Sequence, residues 1–344
     1  MDRLRVAVIG CGRITSAYGP ALANLQELAV PVLALDKHLD RAQSFAAKFP
    51  GCTASDAVDF ASFRALLREY QPDLLHILLP HHLHCPYAIA ALEEGVNVLT
   101  EKPIALSTAD AERMIAARDA SGKQLGVIFQ NRYIDVVQQI RQRIQSGELG
   151  AVKGAFSTLN WYRPASYYQC DWKGRWETEG GGVIIDQAIH SIDLVRYMTG
   201  LEAVEVQGHT ARRILKTIEV EDEADAAITL SNGAVYSFFA CNYYTTNSPI
   251  RVEIACEKGT ALLTYDEMVL TWADGRREVI HPDSAPALNG EGYWGAFHEI
   301  QLRECYTALR EGRPIPWTPE DAAKTLAIVQ GIYNSARIQQ AVTL

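Results

Sequence analysis

Short apolar runs alternate with helical stretches through roughly the first 130 residues, and this alternation restricts the fold more than any other feature. We predict strands at 4–9, 30–35, 73–79, 96–100 and 124–129. Helical patterns fill most of the gaps, for example from the Ser107 cap to Gly122. Strands and helices that alternate in this way form a parallel sheet covered by helices on both faces.

The pattern changes beyond about residue 150. Two pairs of alternating segments are joined by Asn232-Gly233 and by Asp274-Gly275, which are typical of hairpin turns. Two further helices are predicted near 293–311 and 319–340. We therefore predict an α/β chain of two domains. Residues 1–130 form a doubly wound parallel sheet, and residues 131–344 form an α+β domain with a large open, mainly antiparallel sheet.

Composition excludes several classes of protein. The net charge of -9, without any basic run, argues against nucleic-acid binding. No apolar stretch reaches membrane-spanning length, and a strand begins at once with no signal peptide ahead of it, which predicts a cytoplasmic protein. The seven scattered cysteines include no C-x-x-C pair, as expected for reduced thiols rather than for disulfides or a zinc site.

The stretch "VAVIGCGRIT" places a glycine turn between a predicted strand and a predicted helix, as a phosphate-binding fingerprint requires. Gly10 would permit the tight turn, and Gly12 would let the backbone approach a pyrophosphate at the helix N-terminus. Thr15 replaces the third glycine of the full motif. Asp36 ends the second predicted strand, where an acid can bind the adenosine ribose and repel a 2′-phosphate. The alternative for Asp36 is a solvated loop residue.

The loops after the predicted strands 73–79 and 96–100 carry His81, His82, His84 and Lys102. The three histidines could be metal ligands, but we favour a role in lining a ligand site and predict no metal. His84 could instead cap the next helix. Lys102, held before a proline, could polarise a carbonyl or stabilise an alkoxide, or it could be an ordinary surface lysine.

A helix is predicted within residues 179–200, after three glycines. Asp186, His190 and Asp193 are spaced i, i+4 and i+7 and therefore share one face, between apolar neighbours. This pattern predicts a histidine general base flanked by carboxylates that orient it and raise its basicity. The alternative is an exposed polar face.

Aromatic and basic residues are concentrated just before this helix. They are Trp161, Tyr162, Arg163, Tyr167, Tyr168, Trp172, Arg175 and Trp176. Such a cluster suits a polyhydroxylated ligand, and it equally suits a subunit interface. The sequence leaves both interpretations open.

Taken together, these motifs resemble the glucose–fructose oxidoreductase/inositol dehydrogenase/MocA family. The matching residues are Gly10-Cys11-Gly12-Arg13-Ile14, Asp36, the loop from Pro80 to His84, Glu101-Lys102-Pro103, Gly180-Gly181-Gly182, Asp186 and His190. The resemblance implies a Rossmann domain that binds NAD, followed by an α/β domain whose open sheet often forms the oligomer interface. It also implies hydride transfer between a nicotinamide cofactor and a hydroxyl of a sugar, sugar derivative or cyclitol.

The resemblance further implies roles for individual residues. The catalytic group is Lys102, Asp186 and His190. The cofactor is contacted by Gly10, Gly12, Arg13, Ile14, Asp36, Pro80, His81, His84, Glu101 and Lys102. The substrate is contacted by Arg132 and Asp193 together with the catalytic group, and we predict that Tyr162 lines the same site. His81 stands where an asparagine is common. We predict NAD rather than NADP, a cleft between the domains and a homodimer or homotetramer. An NAD-dependent glycosidase and a non-catalytic dinucleotide-binding regulator are the alternatives.

Overall fold

The computed structural model describes residues 3–264, 267–281 and 297–344. These residues form two compact units. The first contains the described residues up to Gln130 and from 297 to Ala323, and the second contains those from Asn131 and from Lys324 to Leu344. The stretch from 297 lies with the first unit because Cys305 and Tyr306 are buried in the same apolar core as Tyr18.

The strands, in chain order, are β1 Leu4–Ile9, β2 Ala29–Leu35, β3 Thr53–Ser55, β4 Leu74–Ile77, β5 Asn97–Thr100, β6 Leu125–Val127, β7 Val152–Asn160, β8 Ala203–Ala211, β9 Glu223–Leu230, β10 Val235–Cys241, β11 Arg251–Cys256, β12 Gly259–Leu263, β13 Met268–Trp272, β14 Arg277–Ile280 and β15 Val342–Thr343. The α-helices are α1 Thr15–Asn24, α2 Leu39–Ala46, α3 Phe60–Tyr70, α4 His84–Glu93, α5 Thr108–Ser121, α6 Asp135–Gln145, α7 Ile189–Thr199, α8 His298–Arg310 and α9 Pro319–Ile338. One-turn 3₁₀ helices lie at His81–Leu83, Gln130–Tyr133 and Ala165–Tyr168.

The sheet of the first unit is parallel throughout, in the order β3-β2-β1-β4-β5-β6. This is the doubly wound sheet predicted from the alternating pattern. The strand order reverses between β1 and β4, and sheets of this kind bind ligands outside the carboxyl ends of the strands at such a point. The prediction missed β3, whose three residues are too short to give a periodic signal.

The sheet of the second unit has the order β14-β13-β12-β11-β7-β10-β9-β8-β15. All its described pairs are antiparallel except β7 with β10, so the predicted open, mainly antiparallel sheet is confirmed. Both predicted hairpins are present, β9–β10 and β13–β14. Their turns contain Gly233 at a φ of +84° and Gly275 at +89°, which favour glycine.

The helix predicted within residues 179–200 differs at its start from an ordinary α-helix. A π-helical turn spans Ile184–Ala188, α7 follows directly, and Gly200 ends it in the left-handed conformation at a φ of +69°. Such turns contain an extra residue and are frequent at functional sites. The predicted helix near 293–311 begins at His298 in the structure, and 293–296 lie outside the described residues.

Two further properties of the chain bear on its chemistry. All seven cysteines are free. Within the ranges given above, no helix combines the length and apolar character that crossing a membrane requires.

Candidate active site

The glycine turn after β1 is shaped by its contact with the loop after β4. Gly10 has a φ of +92°, and a Cβ there would lie 2.5 Å from the carbonyl oxygen of Leu78. Any side chain would therefore displace the backbone. Among the described residues nothing lies within 4 Å of a Cβ built on Gly12, so another group can approach the backbone there. Helix α1 has no acidic residue in its first turn, which leaves its N-terminal end favourable for a phosphate.

Two side chains hold this turn in place. Thr15 donates its hydroxyl to the carbonyl oxygen of Gly12 at 2.6 Å, so the residue that replaces the third glycine closes the turn. The buried carboxylate of Asp36 accepts hydrogen bonds from the backbone N–H groups of Cys11 at 2.8 Å and His38 at 2.9 Å. Asp36 thus ties the end of β2 to the glycine turn, as an acid that binds a ribose must be placed.

The position of Asp36 leads to a prediction about cofactor choice. We expect Asp36→Asn to raise the NADP⁺/NAD⁺ ratio of kcat/KM by about tenfold or more, because a carboxylate beside a 2′-phosphate costs more than about 1.4 kcal/mol. Asparagine keeps the shape and one acceptor. Asp40→Asn, on the exposed first turn of α2, is the matched control and should leave the ratio unchanged. An unchanged ratio in Asp36→Asn would mean that this carboxylate does not face the ribose.

His84 joins the loops that follow β4 and β5. Its buried ring nitrogens lie 2.8 Å from the carbonyl oxygen of Leu79 and 2.7 Å from that of Pro103. Burial lowers the pKa of this imidazole. The side chain makes no helix-capping hydrogen bond, and it instead positions the backbone next to Lys102. The buried ring of His81 lies edge-on to it, with centroids 5.8 Å apart. No group of three or more His, Cys, Asp or Glu in the described ranges could hold a metal ion.

Glu101, which precedes Lys102, is anchored in the core of the first unit. Its carboxylate accepts hydrogen bonds from the hydroxyl of Tyr18 at 2.9 Å and from Nε2 of His298 at 3.1 Å. Burial opposes the charge, but His298 and Lys102 hold the pKa of Glu101 below its usual value. Sequence reasoning missed Tyr18 and His298, because they lie 83 and 197 positions from Glu101.

The glycines before the π-helical turn leave room for neighbouring groups. A Cβ on Gly181 would lie 2.0 Å from the hydroxyl of Tyr333, and one on Gly182 would lie 1.9 Å from the backbone oxygen of Glu221. The buried carboxylate of Glu221 accepts from the N–H groups of Gly182 at 2.8 Å and Ile184 at 3.1 Å, and from the hydroxyl of Tyr333 at 2.9 Å. This residue, which the sequence analysis did not single out, therefore fixes the start of the helix.

The burial of Glu221 leads to a prediction about how the free energy of unfolding depends on pH. Burial raises its pKa from 4.5 to about 7, against the opposing effect of the hydrogen bonds it accepts. The folded state therefore binds more protons than the unfolded state in this window, and the contribution of Glu221 to stability falls by about 3 kcal/mol as pH rises through it. Urea unfolding of wild type and Glu221→Gln should show the difference in free energy, wild type minus variant, decreasing up to about pH 7 and then levelling. A difference that is constant with pH would contradict this assignment.

Asp186 lies in the π-helical turn with its side chain about nine-tenths buried. Its Oδ2 accepts hydrogen bonds from Nζ of Lys173 at 2.7 Å, from the hydroxyl of Tyr167 at 2.7 Å and from Nε2 of Gln187 at 3.0 Å. His190 follows one turn later, at the start of α7. An exposed polar face is therefore wrong for this helix. Sequence reasoning also missed the role of Lys173, because nothing in its spacing indicates a contact with Asp186.

Arg132 and Asp193, both predicted to face the substrate, form a buried salt bridge with each other. Nε of Arg132 donates to Oδ2 of Asp193 at 2.7 Å, a terminal nitrogen donates to Oδ1, and the side chains are only 3% and 2% exposed. Thr325 donates its hydroxyl to Asp193 at 3.0 Å, and the guanidinium lies 5.0 Å from the ring centroid of Tyr197. Substrate contact by either residue stays a prediction.

Basic side chains lie over aromatic rings in the segment before the π-helical turn. Arg163 lies 4.6 Å from the ring centroid of Trp161 and 5.3 Å from that of Tyr167. Nζ of Lys173 lies 4.5 Å from the centroid of Tyr167 and 4.4 Å from that of Trp172. Much of this aromatic cluster is therefore engaged in cation–π contacts within the unit, which neither sequence interpretation anticipated.

The other predicted site residues lie on the expected loops. Arg13 is exposed, and Ile14 and Pro80 are partly buried. Tyr162 is 49% exposed, and its N–H donates to the side-chain oxygen of Asn247 at 2.9 Å. Contacts of these residues with cofactor or substrate, and the predicted meeting of Lys102 with the catalytic helix, stay predictions.

Two family profiles match the chain. The "Oxidoreductase family, NAD-binding Rossmann fold" profile matches residues 4–129, and the "GFO/IDH/MocA C-terminal domain" profile matches residues 137–262. Together they cover more than half of the sequence, and the chain belongs to the GFO/IDH/MocA oxidoreductase family. The resemblance drawn from the motifs is confirmed. The chain is an oxidoreductase, and its first unit is an NAD-binding Rossmann domain.

Individual relatives agree with this assignment. The D-glucoside 3-dehydrogenase of Escherichia coli is 28% identical, in an alignment that covers 67% of this chain and 68% of that protein. The levoglucosan dehydrogenase of Pseudarthrobacter phenanthrenivorans is 26% identical, in an alignment that covers 98% of this chain and 97% of that protein. The WlbA dehydrogenase from Bordetella pertussis, solved in complex with NADH and UDP-GlcNAcA, is 28% identical with a TM-score of 0.88, covering 99% of this chain and 98% of that one.

Proposed function

We propose that this protein is an NAD-dependent dehydrogenase that transfers a hydride between the cofactor and a secondary hydroxyl of a sugar, sugar derivative or cyclitol. The observation that carries the proposal is the buried Asp186, fixed by Lys173 and Tyr167 one helical turn before His190. The names of the relatives support the substrate class, since they include dehydrogenases of D-glucosides and of levoglucosan.

The first unit fits a dinucleotide. Gly12 leaves the backbone of the glycine turn open to another group, the start of α1 carries no acid to repel a pyrophosphate, and Asp36 is held beside the turn. NAD⁺, when bound, supplies the acceptor for the hydride. We assign the further cofactor contacts to the residues that follow β1, β4 and β5, namely Arg13, Ile14, Pro80, His81, Glu101 and Lys102. His84 positions the backbone between the last two of these loops.

The proton that leaves the substrate hydroxyl is assigned to His190, because an imidazole with an ordinary pKa of about 6.5 exchanges protons near neutral pH. The carboxylate of Asp186 stabilises the imidazolium that forms. The ammonium of Lys102 stabilises negative charge that develops on the substrate oxygen. Tyr162 and the salt-bridged pair Arg132–Asp193 are assigned to the surrounding substrate contacts.

We further propose that the protein works in the cytoplasm as a homodimer or homotetramer. Seven free cysteines are typical of a reducing compartment. Two adjacent strands of the second unit's sheet, β7 and β10, carry exposed apolar side chains, Phe156 and Val235, each at least 40% exposed. Exposed apolar side chains on neighbouring strands are typical of a surface that a partner covers.

A panel of sugars, glucosides and cyclitols tests the function. With NAD⁺ present, net formation of NADH, followed by its absorbance, supports a dehydrogenase. Release of an aglycone without net NADH would instead indicate an NAD-dependent glycosidase. Binding of NAD⁺ with neither reaction on any member of the panel would indicate a regulator that keeps only the dinucleotide site.

A further inference from the structure

Lys173 is a buried cation beside Asp186, the carboxylate of the proposed catalytic group. Its Nζ lies 2.7 Å from Oδ2 of Asp186 and 3.2 Å from Oε1 of Glu179, and the three side chains are 11%, 10% and 0% exposed. The rings of Tyr167 and Trp172 approach the same ammonium at about 4.5 Å. Burial opposes the charge, yet Asp186, Tyr167 and Glu179 hold the pKa of Lys173 well above its usual value. The ammonium is therefore permanent at any working pH.

We propose that Lys173 is a positioning residue, whose ammonium keeps the Asp186 carboxylate ionised and fixed in orientation one turn before His190. The inference rests on the proposed function, because only that function gives Asp186 a role in catalysis. A carboxylate with little access to water is driven towards its neutral form unless a charge or hydrogen bonds favour ionisation. Lys173 supplies that charge at 2.7 Å, and Tyr167 supplies a neutral donor to the same oxygen.

Glu179 is the second carboxyl group beside Lys173. Burial raises the pKa of Glu179, although Lys173 opposes the rise. Nζ of Lys173 lies closer to Asp186, at 2.7 Å, than to Glu179, at 3.2 Å, so Asp186 is its nearer partner. The three groups titrate together as one coupled cluster. The other titratable groups near the cluster are Tyr167, Tyr168, Tyr333 and, on the helix itself, His190.

The pH profile of kcat/KM separates a charge effect from a purely structural role. In Lys173→Gln we expect the low-pH limb to move up by about 1–3 pH units, because loss of this cation favours the protonated forms of Asp186 and of His190, the proposed base. In Lys173→Arg the low-pH limb should stay at its wild-type position. Tyr167→Phe removes a donor to the same oxygen without removing charge, and should lower the rate with little movement of the limb. Lys153→Gln, at an exposed position on β7, controls for loss of a lysine elsewhere.

A Lys173→Gln variant that loses activity equally at every pH would overturn the proposal. An infrared titration of the Asp186 carboxyl, identified by subtraction of the Asp186→Asn spectrum, reads the charge without any activity. If Lys173→Gln does not fold, the wild-type titration still decides: an Asp186 carboxyl that is protonated at pH 7 overturns the proposal. If the wild type oxidises no polyol, the proposed function fails, and the infrared result judges the role of Lys173 separately.

Discussion

Replacing His190 with alanine should lower kcat by about 10²–10⁴-fold, the usual contribution of a positioned general base. The affinity for NAD⁺ should change little, because the glycine turn and Asp36, which are assigned to the cofactor, belong to the first unit and His190 to the second. Steady-state kinetics give the first quantity, and titration of intrinsic fluorescence with NAD⁺ gives the second.

His190→Asn is the matched control, because it keeps a polar side chain but takes up no proton near neutral pH. We expect it to be as slow as His190→Ala. Normal turnover of both variants across a pH series would show that this helix does not supply the base.

Replacing Arg132 with methionine should destabilise the protein by about 3–5 kcal/mol, because it leaves the buried carboxylate of Asp193 without its cation. Thr325 would remain as a neutral donor to that carboxylate, and it does not compensate for a lost charge. Urea unfolding measures the change. Arg251→Ala, which breaks the exposed pair with Glu253, is the control and should cost less than about 1 kcal/mol.

The double variant Arg132→Met/Asp193→Leu distinguishes loss of the charge pair from loss of packing. Because both charges are removed together, it should recover most of the stability lost in Arg132→Met alone. If Arg132→Met were no more destabilising than Arg251→Ala, the salt bridge between Arg132 and Asp193 would not stabilise the fold as its burial predicts.

The sequence revealed the parts of the fold that local chemistry determines. Apolar runs predicted the strands of the parallel sheet, and Asn232-Gly233 and Asp274-Gly275 predicted the two hairpins, because each signal lies within a few residues. The π-helical turn at Ile184–Ala188 was not predicted, since one extra residue in a turn leaves a buried helix equally apolar. The family motifs, read together, predicted the NAD-binding oxidoreductase class correctly.

Partners within the candidate site were much harder to predict than the residue types. Asp186 and Asp193 look equivalent on the predicted helix, yet one pairs with Lys173 and the other with Arg132. Arg132 lies 61 positions from Asp193 along the chain, and the pairing brings the one-turn helix Gln130–Tyr133 against α7. Glu221 anchors the glycines through backbone amides, a contact that leaves no pattern in the sequence.

The fate of the substrate hydrogen tests the proposed hydride transfer to NAD⁺. A polyol that the panel identifies as a substrate is labelled with deuterium on the carbon that bears the oxidised hydroxyl, and the cofactor is recovered after one turnover. We expect the deuterium at C4 of the nicotinamide in the NADH formed, because the hydride passes directly from the labelled carbon to the cofactor. NADH without deuterium, or an oxidised cofactor with a released aglycone, would contradict it.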